Sequence, residues 1–466
     1  MKRLPPPPLS SRGFTALAGR ARLVRIGWRV VLGASMSLAL AASARAQIAA
    51  HVVRARIAGI DLVAYPTGVK DVVTFRGSLP AGDALAGDDN VAIPTLVGMM
   101  LDQGTTSEDK FTIAQKLESV GATLSFAVDQ QQLQISAQCL KKDVPLVVGL
   151  IAEQLRSPAF SADEFAKAKQ QFIGSLKRQL DSTDFRAADA FSRAIYPVGH
   201  PNRPASPEAM IAAAGDATLA EARAFHARYY GPAHCTLVAV GDLDIPQLQS
   251  EVGRAFAGWT GGGDLPPSAP AARPDSPREL TVFMADKTSV TVILGQPSGL
   301  RYRDPDYQAL RLGTIVLGRG FTGRLMANVR DKEGLTYDIY ATTDNDTRCD
   351  GDWRIQASFA PALLEKGLAS LRRQLDDWYE NGITDDELAR RKSDLVGSYK
   401  VGLATTEGMA ASLLAAINRG YDPSWLDEFP KKVEALTTAE VNTAIKRHLN
   451  PAHMVLIEAG TLPGAR

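Results

Sequence analysis

Arg330 and Tyr337 stand seven positions apart in a stretch, residues 318–341, that reads GRGFTGRLMANVRDKEGLTYDIYA. An arginine presents five N–H donors in a rigid fork and a tyrosine adds a hydroxyl, a pair suited to gripping peptide carbonyls. The pattern predicts a glycine-rich loop, a helix carrying Leu325, Met326 and Val329, a stop at Gly334, and a strand from Leu335. Arg330 then lies near the helix C-terminus and Tyr337 early in the strand, where the two can converge. The same pattern admits a plainer reading. Strand alternation puts Tyr337 on the face of Leu335 and Ile339 as a half-buried core tyrosine, with Arg330 a cation complementing a helix C-terminus.

Other reactive residue types form no comparable constellation. The histidines are His51, His200, His226, His234, His448 and His453, and no two are spaced i, i+4 as a helical metal site requires. His226 could act as a base with Glu221 or His200, but nothing in the sequence orients either partner. No Gly-x-Ser-x-Gly elbow occurs. Cys139, Cys235 and Cys349 are widely spaced without a Cys-x-x-Cys, and the first two sit in apolar strand-like runs, which predicts buried free thiols. Gly318, Gly320 and Gly323 satisfy Gly-x-Gly-x-x-Gly, but residues 307–317 before them read as an amphipathic helix, whereas a dinucleotide loop follows a strand.

The Gly323-Arg324-Leu325 step, with Arg330 and Tyr337 beyond it, resembles the second-half signature of the pitrilysin/insulinase family of zinc peptidases. The resemblance implies that Arg330 and Tyr337 bind substrate backbone beside the scissile bond and that Gly318, Gly320 and Gly323 form a flexible loop facing the substrate. It further implies a zinc site on the other half: His-x-x-Glu-His on a helix, followed by Gly-Thr, with another glutamate farther along the chain. Gly104-Thr105 sets the register here, and Thr95, Gly98 and Met99 then occupy the His, Glu and His positions, with Ser175 near the distant glutamate. No metal is expected in this chain. Zinc is expected on a partner, a homologous catalytic subunit bearing His-x-x-Glu-His. The resemblance thus implies a non-catalytic, substrate-binding subunit of a heterodimeric peptidase, its peptide substrate adding as a strand to a sheet edge. The alternative is a non-proteolytic scaffold or binding protein on the same fold. Keeping both Arg330 and Tyr337 while every zinc position is lost argues for the first.

The elements that must position these residues follow from composition and repeats. With 466 residues, 45% hydrophobic and 22% charged, the chain has room for two or three domains. Its net charge of +1, with no Lys/Arg stripe interleaved with aromatics, argues against a nucleic-acid partner. Residues 1–46 contain Lys2, Arg3, Arg12 and further arginines, then an apolar run at 30–42 and Ser43-Ala44-Arg45-Ala46. This predicts a signal peptide cleaved after Ala46 and an exported, periplasmic chain with no transmembrane span in its mature part.

Residues 260–278 (TGGGDLPPSAPAARPDSPR) read as a semi-rigid linker between an N-terminal domain at 47–259 and a C-terminal one at 279–466. The two are related. At an offset of 219, residues 218–243 match residues 437–462 at 10 of 26 positions, from Thr218/Thr437 to Leu243/Leu462. At an offset of 223, Asp163-Glu164 matches Asp386-Glu387, Lys169 matches Lys392 and Gly174-Ser175 matches Gly397-Ser398, each helix opening on an expected capping box, Ser161…Glu164 and Thr384…Glu387. The fold expected is α+β: two duplicated domains, each a mostly antiparallel sheet flanked by helices.

Overall fold

The computed structural model describes residues 48–87, 89–263 and 277–462. Residues 1–47, which hold the expected signal peptide, and residues 264–276 of the expected linker lie outside the described residues. From Ile48 onward the chain is one compact unit built on two sheets. The first comprises β1 (Val53–Ile57), β2 (Ile60–Pro66), β3 (Val72–Leu79), β4 (Thr123–Val128), β5 (Leu133–Leu140) and β6 (Thr236–Gly241), in spatial order β1-β2-β6-β3-β5-β4. The second comprises β7 (Arg278–Phe283), β8 (Val290–Pro297), β9 (Thr336–Asp344), β10 (Asp352–Phe359) and β11 (Val455–Gly460), in order β7-β11-β8-β10-β9. Each sheet has one parallel pair, β2 with β6 and β7 with β11, and is otherwise antiparallel.

The duplication is visible in the elements. Helices Leu219–Tyr229 and Thr438–His448 are 219 positions apart, and both open on complete capping boxes, at Thr218 with Glu221 and Thr437 with Glu440. Strands β6 and β11 follow at the same offset, and Gly241 and Gly460 end them with φ of 146° and 148°. Helices Ala162–Gln179 and Asp385–Gly402 differ by 223. The docking between these helices is itself repeated. The Lys169 ammonium donates to the Gly215 carbonyl at 2.7 Å, and Lys392 donates to the equivalent carbonyl of Glu434 at 2.9 Å. One expectation fails: Ser161 makes no cap hydrogen bond. Glu164 instead accepts from Lys110 at 2.6 Å and Lys167 at 2.8 Å, because two ammonium donors outcompete one backbone amide.

Each sheet is covered on one face by a helix from the other half. Helix Thr183–Ile195 buries Ala187, Phe191 and Ile195 against Ile293, Val455 and Ile457 of the second sheet. Helix Thr406–Asn418 packs on β3 and β6 of the first, in a core that includes Met409, Leu413, Val238 and Val240. Matching threonine pairs mark both contacts: Thr74 and Thr406 hydroxyls are 2.9 Å apart, and Thr291 donates to Thr183 at 2.8 Å. With both faces covered, β6 and β8 are buried along their whole length, which accounts for their mainly apolar sequences. Cys139, Cys235 and Cys349 are all buried free thiols, and burial pushes Cys139 and Cys235 up to about 12.

Candidate functional site

Arg330 lies in a π-helical turn, Met326–Lys332. The sequence predicts an ordinary helix here. Instead Glu333 N–H reaches back to the Asn328 carbonyl at 3.0 Å and Leu335 N–H to that of Val329 at 3.0 Å, so the last turn is widened, and Gly334 (φ 65°) ends it. Such turns insert one residue and re-aim side chains. Tyr337 lies on a matching irregularity in β9. Ser358 of β10 faces Asp338 and Phe359 faces Thr336, which leaves Tyr337 as the extra, unpaired residue of a bulge.

The bulge overturns the expectation of a half-buried core tyrosine. Ile339 is fully buried, but Tyr337 is 82% exposed, because the break in register lifts its ring off the sheet face. The Arg330 guanidinium carbon stands 4.9 Å from the Tyr337 ring centroid and 5.1 Å from that of Phe321, an exposed residue of the glycine-rich loop. Two aromatic faces thus hold one cation. Its nearest carboxylate, Asp331, is 4.0 Å away, so the edge of the fork stays open to a ligand. Phe321 has no sequence signal beyond being an aromatic residue within a glycine-rich loop.

The three glycines differ in environment. Gly320 takes φ 66° in an open turn. Gly318 is buried where a Cβ would stand 2.2 Å from the Ala341 amide, so it permits close packing of helix Tyr307–Gly318 on β9. A Cβ on Gly323 would press on the backbone of Gly318 and Arg319. Arg324 anchors the loop: its Nε and Nη2 donate to both carboxylate oxygens of Glu387 at 2.8 Å, and Nη2 to the Gly382 carbonyl at 2.9 Å. That fork, with the Thr384 cap, holds the Glu387 carboxyl down to about 2.

The positions matching a zinc site lie on helix Ile93–Met100 and do not fit a metal. Gly98 is buried, and a Cβ there would stand 2.3 Å from a methyl of Val128 on β4, so the space for a larger side chain is filled. Thr95 donates its hydroxyl to Asp83 at 2.8 Å, and Met99 offers only a thioether. Ser175 donates back to the Phe172 carbonyl at 2.8 Å. A cavity of about 260 Å³ remains beside Thr95, Gly98 and Met99, occupied at its rim by Glu164 with Lys110 and Lys167. Two ammoniums there disfavour a cation. Among the described residues no group of three His, Cys, Asp or Glu side chains could hold a metal.

His226 and His200 are held in structural contacts. His226 stacks on Tyr230 and bonds the Leu155 carbonyl at 2.8 Å, and burial lowers its pKa. His200 is buried against Tyr196, and its Nε2 is 3.3 Å from Asp350. Glu221 is committed to its capping box. No helix among the described residues is long and apolar enough to cross a membrane.

A duplicated α+β chain with an exposed Tyr stacked on a half-buried Arg in its second half and, among the described residues, no metal-ligand set in its first resembles a zinc peptidase without its zinc residues. The chain belongs to the insulinase family, peptidase family M16. Residues 70–200 match the model of that family and residues 216–395 match that of the peptidase M16 inactive domain. An uncharacterized zinc protease of Streptomyces coelicolor is 26% identical over 317 residues, 66% of this chain and 67% of its own. The non-peptidase homolog YmxG of Helicobacter pylori is 22% identical over 385 residues, covering 81% and 85%. The crystal structure of a peptidase M16 inactive domain from Pseudomonas fluorescens superposes with a TM-score of 0.81 at 25% identity, covering 89% of this chain and 99% of that one.

Proposed function

We propose that this chain is the non-catalytic, substrate-binding subunit of an exported heterodimeric zinc metallopeptidase. The observation that carries the proposal is the contrast between its halves. On the first, the positions matching a zinc site are filled by Val128 packing and a lysine–glutamate cluster. On the second, an exposed Tyr337 is stacked on a half-buried Arg330, each set by a backbone irregularity. A scaffold needs neither irregularity. The likeness to an inactive domain and to a non-peptidase homolog supports a chain that does not hydrolyse peptides by itself.

In this reading a partner bearing His-x-x-Glu-His supplies the zinc. Arg330 and Tyr337 hold the backbone of the scissile peptide and stabilise charge on its carbonyl oxygen, the Arg with its open fork and the Tyr with its hydroxyl. The peptide adds to a sheet edge, and β9, which carries Tyr337, is an edge strand. The glycine-rich loop, pinned by Arg324, flanks it. Export, from the signal at residues 1–46, places the complex in the periplasm.

The test is purification of the tagged mature chain from its native periplasm, with zinc and cleavage of a quenched peptide measured in the eluate. A stoichiometric partner with His-x-x-Glu-His and peptidase activity is expected. A chain that elutes alone, zinc-free and inert would favour the scaffold reading.

A further inference from the structure

Two cavities meet at Tyr302. The larger, about 820 Å³, runs along residues 340–344 of the edge strand β9. The smaller, about 360 Å³, is bounded by helices Asp385–Gly402, Thr406–Asn418 and Trp425–Ala435. Both are lined by Tyr302, Arg311, Arg319 and Arg419.

The arginines make no direct ion pair, although the carboxylate of Asp346 acts on Arg419 and Arg311 through space. Arg419 stacks with its guanidinium carbon 3.6 Å from the Tyr302 centroid, and its buried Nε has no hydrogen-bond partner. Arg311 reaches only the Tyr302 hydroxyl and Gln308 Oε1, both at a long 3.4 Å. Arg319 is exposed. Among the described residues none of the three forms an ion pair within 4.0 Å. The acids that share the larger cavity are otherwise engaged: Asp346 accepts from the Tyr307 hydroxyl, Asp344 pairs with Arg354, and Asp129 caps the Gln131 and Gln132 amides. No carboxylate lines the smaller cavity, whose remaining walls are Tyr399, Trp425, Phe429, two leucines and small residues.

Three guanidiniums at the mouth of an aromatic pocket suit one ligand chemistry, a carboxylate attached to an apolar body. The planar fork of arginine matches a carboxylate bidentately, and the rings accept a side chain. The volume is that of a small-ligand pocket. The unpaired backbone edge of β9 leads to it, so an extended chain lying along residues 340–344 would end at the arginines. We propose that the pocket at Tyr302, Arg311, Arg319 and Arg419 binds the C-terminal carboxylate of a peptide whose last residue is aromatic or aliphatic. The arginine pocket does not include Arg330 or Tyr337, although it shares the β9 edge and the glycine-rich loop with them, and it binds without a partner subunit.

The experiment is calorimetric titration of the mature chain alone with an N-acetylated tetrapeptide ending in phenylalanine, as the free acid and as the C-terminal amide. Trp425, stacked on Tyr421 with centroids 3.9 Å apart, gives a second, fluorescent readout. The acid binds at least about tenfold more tightly than the amide, and Arg419→Gln and Arg319→Gln each weaken the acid at least about fivefold. Arg319 makes no contact that folding needs, so its variant tests the site even if Arg419→Gln loosens the Tyr302 stack. Equal binding of acid and amide, no binding of either, or Arg319→Gln binding like the unmodified chain overturns the proposal. So does 3-phenylpropionate binding as tightly as the peptide, since the peptide edge would then contribute nothing.

Discussion

The Arg330 guanidinium carbon stands 4.9 Å from the centroid of the Tyr337 ring, although neither side chain is drawn there by the core. Two local departures from regular structure create the contact. The π-turn adds one residue to the helix end, and one residue on a helix is a rotation of about 100°. The bulge adds one residue to β9, and one residue on a strand exchanges its faces. Remove either and the pair separates. Extra residues of this kind cost backbone hydrogen bonding, so finding one on each side of a single exposed contact points to a site rather than to packing.

Arg330→Ala and Tyr337→Phe are therefore expected to separate function from stability. Tyr337 is 82% exposed and its hydroxyl bonds nothing among the described residues, so unfolding free energy should move by no more than about 0.5 kcal/mol. Arg330→Ala gives up ring contacts worth about 0.5–1 kcal/mol each at exposed sites. Peptidase activity of the reconstituted complex should fall at least about tenfold in each, roughly the loss of one transition-state hydrogen bond. Unchanged turnover in both variants would make the pair a remnant.

The Arg324–Glu387 fork should give stability a signature at low pH. Glu387 is held down to about 2 when folded, against an ordinary value near 4.5. A carboxylate with a depressed folded pKa stabilises above its unfolded value and loses that contribution as pH falls through the folded one. Glu387→Gln should thus be less stable by about 2 kcal/mol at pH 7, a charged hydrogen bond's worth. Its deficit should shrink between pH 4.5 and 2 and be absent below. Denaturant titrations of both chains at pH 7, 4 and 2 would read this, and a pH-independent difference would refute it. Because the fork pins the loop that carries Phe321, the variant should also lower activity of the complex at pH 7.

Much of the fold is legible in the sequence because the duplication repeats physics as well as letters. Thr218 and Thr437 each cap a helix through Glu221 and Glu440, and Gly241 and Gly460 each end a buried strand, at one constant offset. The exchange of helices is not legible. The i, i+4, i+8 stripe of Ala187, Phe191 and Ile195 says that helix Thr183–Ile195 is amphipathic, but not that its sheet belongs to the other half. At the site, the spacing of Arg330 and Tyr337 announces that they can meet. The exposure of Tyr337 is hidden, because alternation assumes an unbroken register and a bulge leaves no mark in composition. The capping box expected at Ser161 loses its glutamate half for a tertiary reason: Lys110, far away in sequence, claims the Glu164 carboxylate.

The filled zinc position can be probed by packing. A Cβ on Gly98 would lie 2.3 Å from Val128 Cγ2, so Gly98→Ala should cost about 1–3 kcal/mol as an overpacked core does. Val128→Ala in the same chain should return most of that loss, because the clashing atom is the methyl it removes. A double-mutant cycle measures the coupling. Additive effects would mean that the helix shifts instead, and that Gly98 is not held by β4.

Phe191 tests whether the two halves are one folding unit. Its ring is fully buried, and it joins helix Thr183–Ile195 of the first half to Ile293, Val455 and Ile457 of the second. Phe191→Ala should destabilise the chain by about 3–5 kcal/mol. The manner of the loss is the sharper prediction. Each sheet borrows its cover from the opposite half, so neither can keep a buried face alone, and the variant should still unfold in a single transition at a lower midpoint. Calorimetry with matched circular dichroism and tryptophan fluorescence would check it, since Trp259 lies in the first half and Trp353, Trp378 and Trp425 in the second. Fluorescence and ellipticity melting apart would mean that each half closes its own core, and that the helix exchange is only a docking contact.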